Sequence, residues 1–229
     1  MRRHSNIFVA VFAVFVGGGI LALSVPRVIS SFLLLPTKHV LKDVRANKRV
    51  PSDENLLQIH DAQVSAMDTH ASGKTAIDKA FVEISLAQAS PEGPGRRNWY
   101  EQAENSIEKG LLLAPANPYG WLRLTELRLR SGDKDGAVNA LSLSYLSGTF
   151  ERWLAPPRLY FALRLWGMMA RDDKEQAKRQ ILWVSRFNQG ALVGLARQDR
   201  KFLSIIVSAL IKDSAQFNGF MSAYIKPAS

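Results

Sequence analysis

The sequence predicts an all-α protein, an N-terminal transmembrane helix followed by a small array of helical hairpins. Three observations carry this expectation. Residues 7–25, IFVAVFAVFVGGGILALSV, hold no charge over nineteen positions, close to the ~20 apolar residues a helix needs to cross the hydrocarbon core. From residue 51 onward, apolar residues recur at helical spacing, and no run alternates as a half-buried strand would. Short punctuation then cuts that stretch into helix-length pieces: PEGPG at 91–95, PANP at 115–118, Ser131-Gly132-Asp133 and Ala155-Pro156-Pro157.

The anchor comes first, over 1–26 with its short tail. Asn6 bounds the apolar run on one side and Pro26-Arg27 on the other. The run is longer than the ~7–15 apolar residues of a secretory signal, so an uncleaved anchor is expected. Ala13 and Gly17, and Gly18 and Ala22, stand four apart, a spacing at which small residues let two such helices approach as a homodimer. Residues 27–50 form a basic juxtamembrane segment suited to anionic lipid headgroups. Basic residues near the anchor balance on its two sides, so the positive-inside rule leaves the side of the soluble part open.

The soluble part, 51–229, opens at Pro51-Ser52-Asp53-Glu54, where Ser52 or Asp53 is placed to cap a helix. Helices are expected near 54–68, 74–89, 98–114, 119–130, 135–146, 157–169, 174–188 and 199–212. Helices this short are marginal alone and must stack.

An internal period supports the stacking. Counting thirty-four residues from Pro118 puts Trp121, Leu124, Gly132, Ala137 and Leu141 at successive packing places; one period upstream stand Ala103, Ile107 and Pro115. These places, with the NPYGWLRL opening and the Gly-Asp turn, resemble the tetratricopeptide repeat. The best repeat covers 118–150 and a degenerate one 84–117, the latter interrupted by PEGPGRR. Thr125, Arg128, Ser144 and Thr149 depart from the pattern. The resemblance implies a hairpin array that binds a peptide or protein segment, as repeat arrays do.

Charge and composition narrow the function. The net charge is +10; residues 1–50 hold +7 of it, and the other 179 residues +3. A membrane surface explains that distribution better than nucleic acid. The absence of cysteine excludes disulfides and thiolate chemistry. Gly73-Lys74-Thr75 lacks the glycine five places earlier that a phosphate loop requires, Asp68 standing there instead. The four histidines show no i, i+4 pair for a metal, and His60 reads as a solvent-exposed side chain. No catalytic set assembles from the serines and acids. The expectation is a protein that is not an enzyme and carries no cofactor.

Arginine and aromatic residues crowd into 150–190. Trp and Arg are favoured at binding hot spots, which makes Arg128, Arg152, Trp153, Arg158 and Arg164 the candidate partner-binding surface. The stretch 117–165 is also similar to small anchored proteins of bacterial exopolysaccharide gene clusters, the VpsP-like group. That resemblance implies a protein of the inner membrane with its helical domain in the periplasm, supporting polysaccharide synthesis or export among other envelope proteins. The alternative is a cytoplasm-facing tethered regulator or nucleic-acid binder using Arg96, Arg97 and the arginines of 150–190.

Overall fold

The computed structural model describes residues 2–37 and 52–226, and among these it is all-helical, with eleven helices and no strand. The first, α1 (Arg2–Leu33), is long and apolar. Val14–Leu33 within it has the length and hydropathy of a membrane span, as a signal sequence near the N-terminus would too. The helix does not stop at Pro26 as expected but carries the proline inside it and runs on to Leu33. Its large apolar side chains are left uncovered: Phe15 is 82% and Leu23 74% exposed. The rest of the basic juxtamembrane segment, from residue 38 to residue 50, lies outside the described residues, as does the side chain of Ala13. A Cβ built on Gly17 or Gly18 would meet nothing within 4 Å.

The chain divides into two compact units, Met1–Ala114 and Pro115–Ser229. In the first, α2 (Asp53–Thr69), α3 (Gly73–Ala89) and α4 (Pro94–Leu113) follow α1. Ser52 Oγ caps α2 by accepting from the Asn55 backbone N–H at 3.3 Å. Helix α2 turns Leu56, Ile59, Gln63 and Ala66 inward, an a/d spacing that lays one seam against a neighbouring helix. Leu56 and Ile59 meet Val82 and Leu86 of α3, with Phe81 and Trp99 packed around them. Gln63 is fully buried in that seam, and among the described residues neither of its amide atoms has a partner. Helix α4 begins at Pro94, so most of the stretch expected as an insert forms its first turn. Proline suits that position because its missing N–H has no helical partner to lose.

Two glycines set the distance between α3 and α4. A Cβ on Gly73 would stand 2.6 Å from both the Gly110 carbonyl oxygen and Ala114 Cβ; one on Gly110 would stand 2.7 Å from Ile77 Cγ1 and 3.0 Å from the Gly73 oxygen. The glycine of Gly73-Lys74-Thr75 thus serves close helix approach, while Lys74 points to solvent and pairs with Asp78 at 2.6 Å.

In the second unit, α5 (Pro118–Ser131) and α6 (Lys134–Ser147) lie along each other across a two-residue turn. Asn117 and Asp133 cap them, each accepting a backbone N–H at 2.9 Å. Gly132 ends α5 with φ +91°, a left-handed conformation costly for any residue with a Cβ. Helices α7 (Ala155–Leu165), α8 (Arg171–Ser185), α9 (Gln189–Gln198), α10 (Arg200–Leu210) and α11 (Ser214–Ile225) complete it. Helices α9 and α11 fall where no helix was expected, and α7 ends four residues early. Helix α7 stands between two cores. Leu159 and Leu163 join Ile181, Val184, Leu192, Ile206 and Phe220 on one side. Phe161, Ala162 and Leu165 join Leu122, Leu141 and Tyr145 on the other.

Candidate functional site

The second unit concentrates positive charge. Seventeen lysines and arginines stand against nine acids over 115–229, a net +8, whereas 51–114 holds five against ten. The near-neutral total over 51–229 hides this segregation, so the basic excess is not confined to the flanks of α1.

The loop 148–154 between α6 and α7 carries two exposed aromatic residues and meets three more. Phe150 is 78% exposed and Trp153 61%, with Leu146 at the end of α6 exposed beside them in sequence. Phe150 meets the Trp183 ring edge-on at 5.9 Å, Trp183 meets Phe187 at 4.8 Å, and Trp153 lies against Tyr119 at 5.5 Å. Arg152 sits over the Phe187 ring and Arg123 over Tyr119, each 5.0 Å from the centroid. The result is a band of aromatic rings with guanidinium groups set against them, an arrangement in which cation–π attraction orders both partners. Trp153 Nε1 donates to Glu151 Oε2 at 3.0 Å, engaging the acid of the loop.

Arg158 holds this loop in place from below. It was expected on the partner-binding surface, but it is fully buried and that expectation is corrected. Nε donates to Ser144 Oγ at 2.9 Å, Nη1 to the Gly148 carbonyl at 2.7 Å, and Nη2 to the Ser144 carbonyl. Ser144 Oγ in turn donates to the Pro118 carbonyl at 2.7 Å. The guanidinium also lies 5.4 Å from the centroid of the buried Tyr145 ring. Burial pushes the Arg158 pKa below its ordinary value, opposed by Tyr145 and Glu151, and burial pushes the Tyr145 hydroxyl up. An arginine stays a cation in proteins, so carbonyl and hydroxyl oxygens take the place of a carboxylate here. One side chain therefore ties the start of α5, the end of α6 and the first residue of the loop to α7.

The other members of the expected surface separate. Arg152 and Trp153 are in the band. Arg164 is exposed on α7, donating to Tyr160 Oη at 2.7 Å. Arg128 is half-buried and reaches across the α5–α6 turn, 4.0 Å from Asp133. Of the repeat positions, Ala103, Leu124, Ala137 and Leu141 are buried. Trp121 is half-buried with Nε1 donating to the Pro115 carbonyl at 2.7 Å, and Pro115 itself is exposed.

The first unit holds a polar cluster that sequence reasoning missed. Glu83 on α3 is fully buried, its Oε1 bonded to Lys79 Nζ at 2.7 Å and to His60 Nε2 at 3.3 Å. Lys79 also donates to Ser106 Oγ on α4 at 2.9 Å. His60, expected in solvent, is instead mostly covered, with its ring edge-on to Trp99 at 5.5 Å. Burial alone would raise the Glu83 pKa; hydrogen bonds from His60 and Lys79, the Lys79 charge and Ser106 outweigh it and hold the carboxyl below its ordinary value. The i, i+4 spacing of Lys79 and Glu83 was the available signal, but such pairs usually mark a solvated face. Among the described residues no group of three His, Asp or Glu side chains is placed to hold a metal ion. Compared with protein-family models and with curated proteins, the chain matches none.

Proposed function

We propose that this protein is a single-pass, inner-membrane scaffold without catalytic activity, whose helical body binds other envelope proteins in the periplasm. The observation that carries the reading is the uncovered apolar surface of α1 over Val14–Leu33, which water would not leave bare on a free-standing domain. Burial of Ala103, Leu124, Ala137 and Leu141, with left-handed Gly132, supports a tetratricopeptide-like hairpin array behind it. Exposed Arg164, bonded to Tyr160, supplies hot-spot chemistry for protein partners. The resemblance to the VpsP-like group adds a role in exopolysaccharide synthesis or export.

Protease accessibility in intact spheroplasts tests the reading. Digestion of the helical body without lysis, together with cross-links from residue 164 to other membrane proteins, is the expected result. Protection until lysis overturns the periplasmic placement.

A second reading is favoured by the net +8 of residues 115–229: a tethered, cytoplasm-facing nucleic-acid binder. It requires affinity that falls steeply with salt. A mobility-shift titration that shows no binding at moderate salt ends it.

A further inference from the structure

We infer that the loop 148–154 lies against an anionic bilayer surface, with Leu146, Phe150 and Trp153 in the interfacial layer and Arg152 and Arg186 facing lipid phosphates. The inference rests on the tether proposed above and assigns the aromatic part of the basic unit to lipid, leaving Arg164 and Tyr160 to proteins.

Three features of the site support lipid as the occupant. Leu146, Phe150 and Trp153 are 74%, 78% and 61% exposed within eight residues of sequence, which is the composition that settles at a membrane–water interface rather than in water. Arg152 in the loop and Arg186, next in sequence to its ring partner Phe187, are exposed, and neither is in an ion pair among the described residues. The acid of the loop, Glu151, is engaged by Trp153. Glu151 keeps its charge in that hydrogen bond and offsets Arg152 within the loop, so Arg186 brings the patch to a net +1; a modest positive charge beside apolar surface matches headgroup phosphate above acyl chain. The same chain carries a helix able to span the membrane, so the bilayer is present at high effective concentration whichever protein is or is not there. Arg158 holds the loop through the Gly148 carbonyl, so the side chains are presented without prior rearrangement.

The chain has no cysteine, so a single introduced thiol carries a unique label. The full-length protein is reconstituted in phosphatidylcholine vesicles with or without phosphatidylglycerol, bearing an environment-sensitive fluorophore at Phe150→Cys, at exposed Ser204→Cys on α10, or at Leu21→Cys in α1. Nitroxide-bearing lipids serve as quenchers. Quenching at 150 several-fold above that at 204 in the anionic vesicles is expected, reduced at least twofold by Arg152→Glu with Arg186→Glu or by omitting phosphatidylglycerol. Equal quenching at 150 and 204, with strong quenching at 21, overturns the lipid contact and leaves the tether standing. Quenching at 150 but not at 21 removes the tether and retains the contact. Equal quenching at 150 and 204 alongside cross-linking from 150 to a protein in native membranes assigns the loop to a protein partner instead.

Discussion

Arg158 on α7 donates through Nε to Ser144 Oγ on α6 at 2.9 Å, fourteen residues apart and wholly out of solvent. The pair explains a departure from the repeat pattern: an alanine at 144 would offer no hydroxyl to relay between Arg158 and the Pro118 carbonyl. Arg158→Ala leaves the Ser144 and Gly148 oxygens without their donor, and a loss of about 3 kcal/mol is expected by chemical denaturation. Arg158→Lys recovers less than half of that, because one ammonium cannot reach three acceptors in the planar spread of a guanidinium.

Helix spacing in the first unit gives the second expectation. Gly110→Ala places a methyl group against Ile77 and the Gly73 carbonyl, and backbone cannot yield as a flexible side-chain end does. Alanine favours the helix by about 1 kcal/mol, yet a net loss of about 1–3 kcal/mol from overpacking is expected, read as a lowered Tm. Gly132→Ala meets no steric obstacle and loses about 1 kcal/mol through its positive φ alone.

The Glu83 cluster makes stability depend on acid. Its carboxyl is held below the ordinary value of 4.5, so the unfolded chain binds a proton there before the folded one does. Stability from this group is complete above pH about 4.5 and is lost as pH falls through the lower folded value. Denaturation midpoints measured downward from pH 5 are expected to fall more steeply for the native chain than for Glu83→Gln. Lys79→Met, which strands the buried carboxylate, is expected to cost about 3 kcal/mol at neutral pH.

Phe150→Ser and Trp153→Ser remove exposed rings and are expected to leave stability within about 0.5 kcal/mol of the native chain. Near-native denaturation midpoints together with loss of a binding or lipid-contact signal separate a surface role from a structural one.

Much of the helical body was legible in the sequence because its signals are local. Asn117 and Asp133 cap the helices they precede, and Gly132 marks the turn its φ requires. Helices α9 and α11 were missed because glycines interrupt both, Gly190 and Gly194 in one and Gly219 in the other, although Phe217, Phe220, Met221 and Tyr224 of α11 stand at helical spacing and pack into the core. The arginines of 150–190 were legible as a group but not one by one. Burial of Arg158 depends on oxygens ten and fourteen residues upstream, and among the described residues no carboxylate bonds to it to mark the site. His60 was misread for the same reason, since its partner Glu83 lies twenty-three residues away on another helix.

Gln63 carries a consequence for how the protein comes apart. Its amide is buried with neither atom bonded among the described residues, a cost that is relieved when α2 swings free and the side chain is hydrated. Opening of α2 releases both amide atoms of Gln63, whereas on α3 only Glu83 Oε2 lacks a partner and its Oε1 is held by Lys79 and His60, so α2 opens more easily. Backbone amides of α2 are expected to exchange with deuterium ahead of those in α3, so the first helix of the body is the one that lets go first.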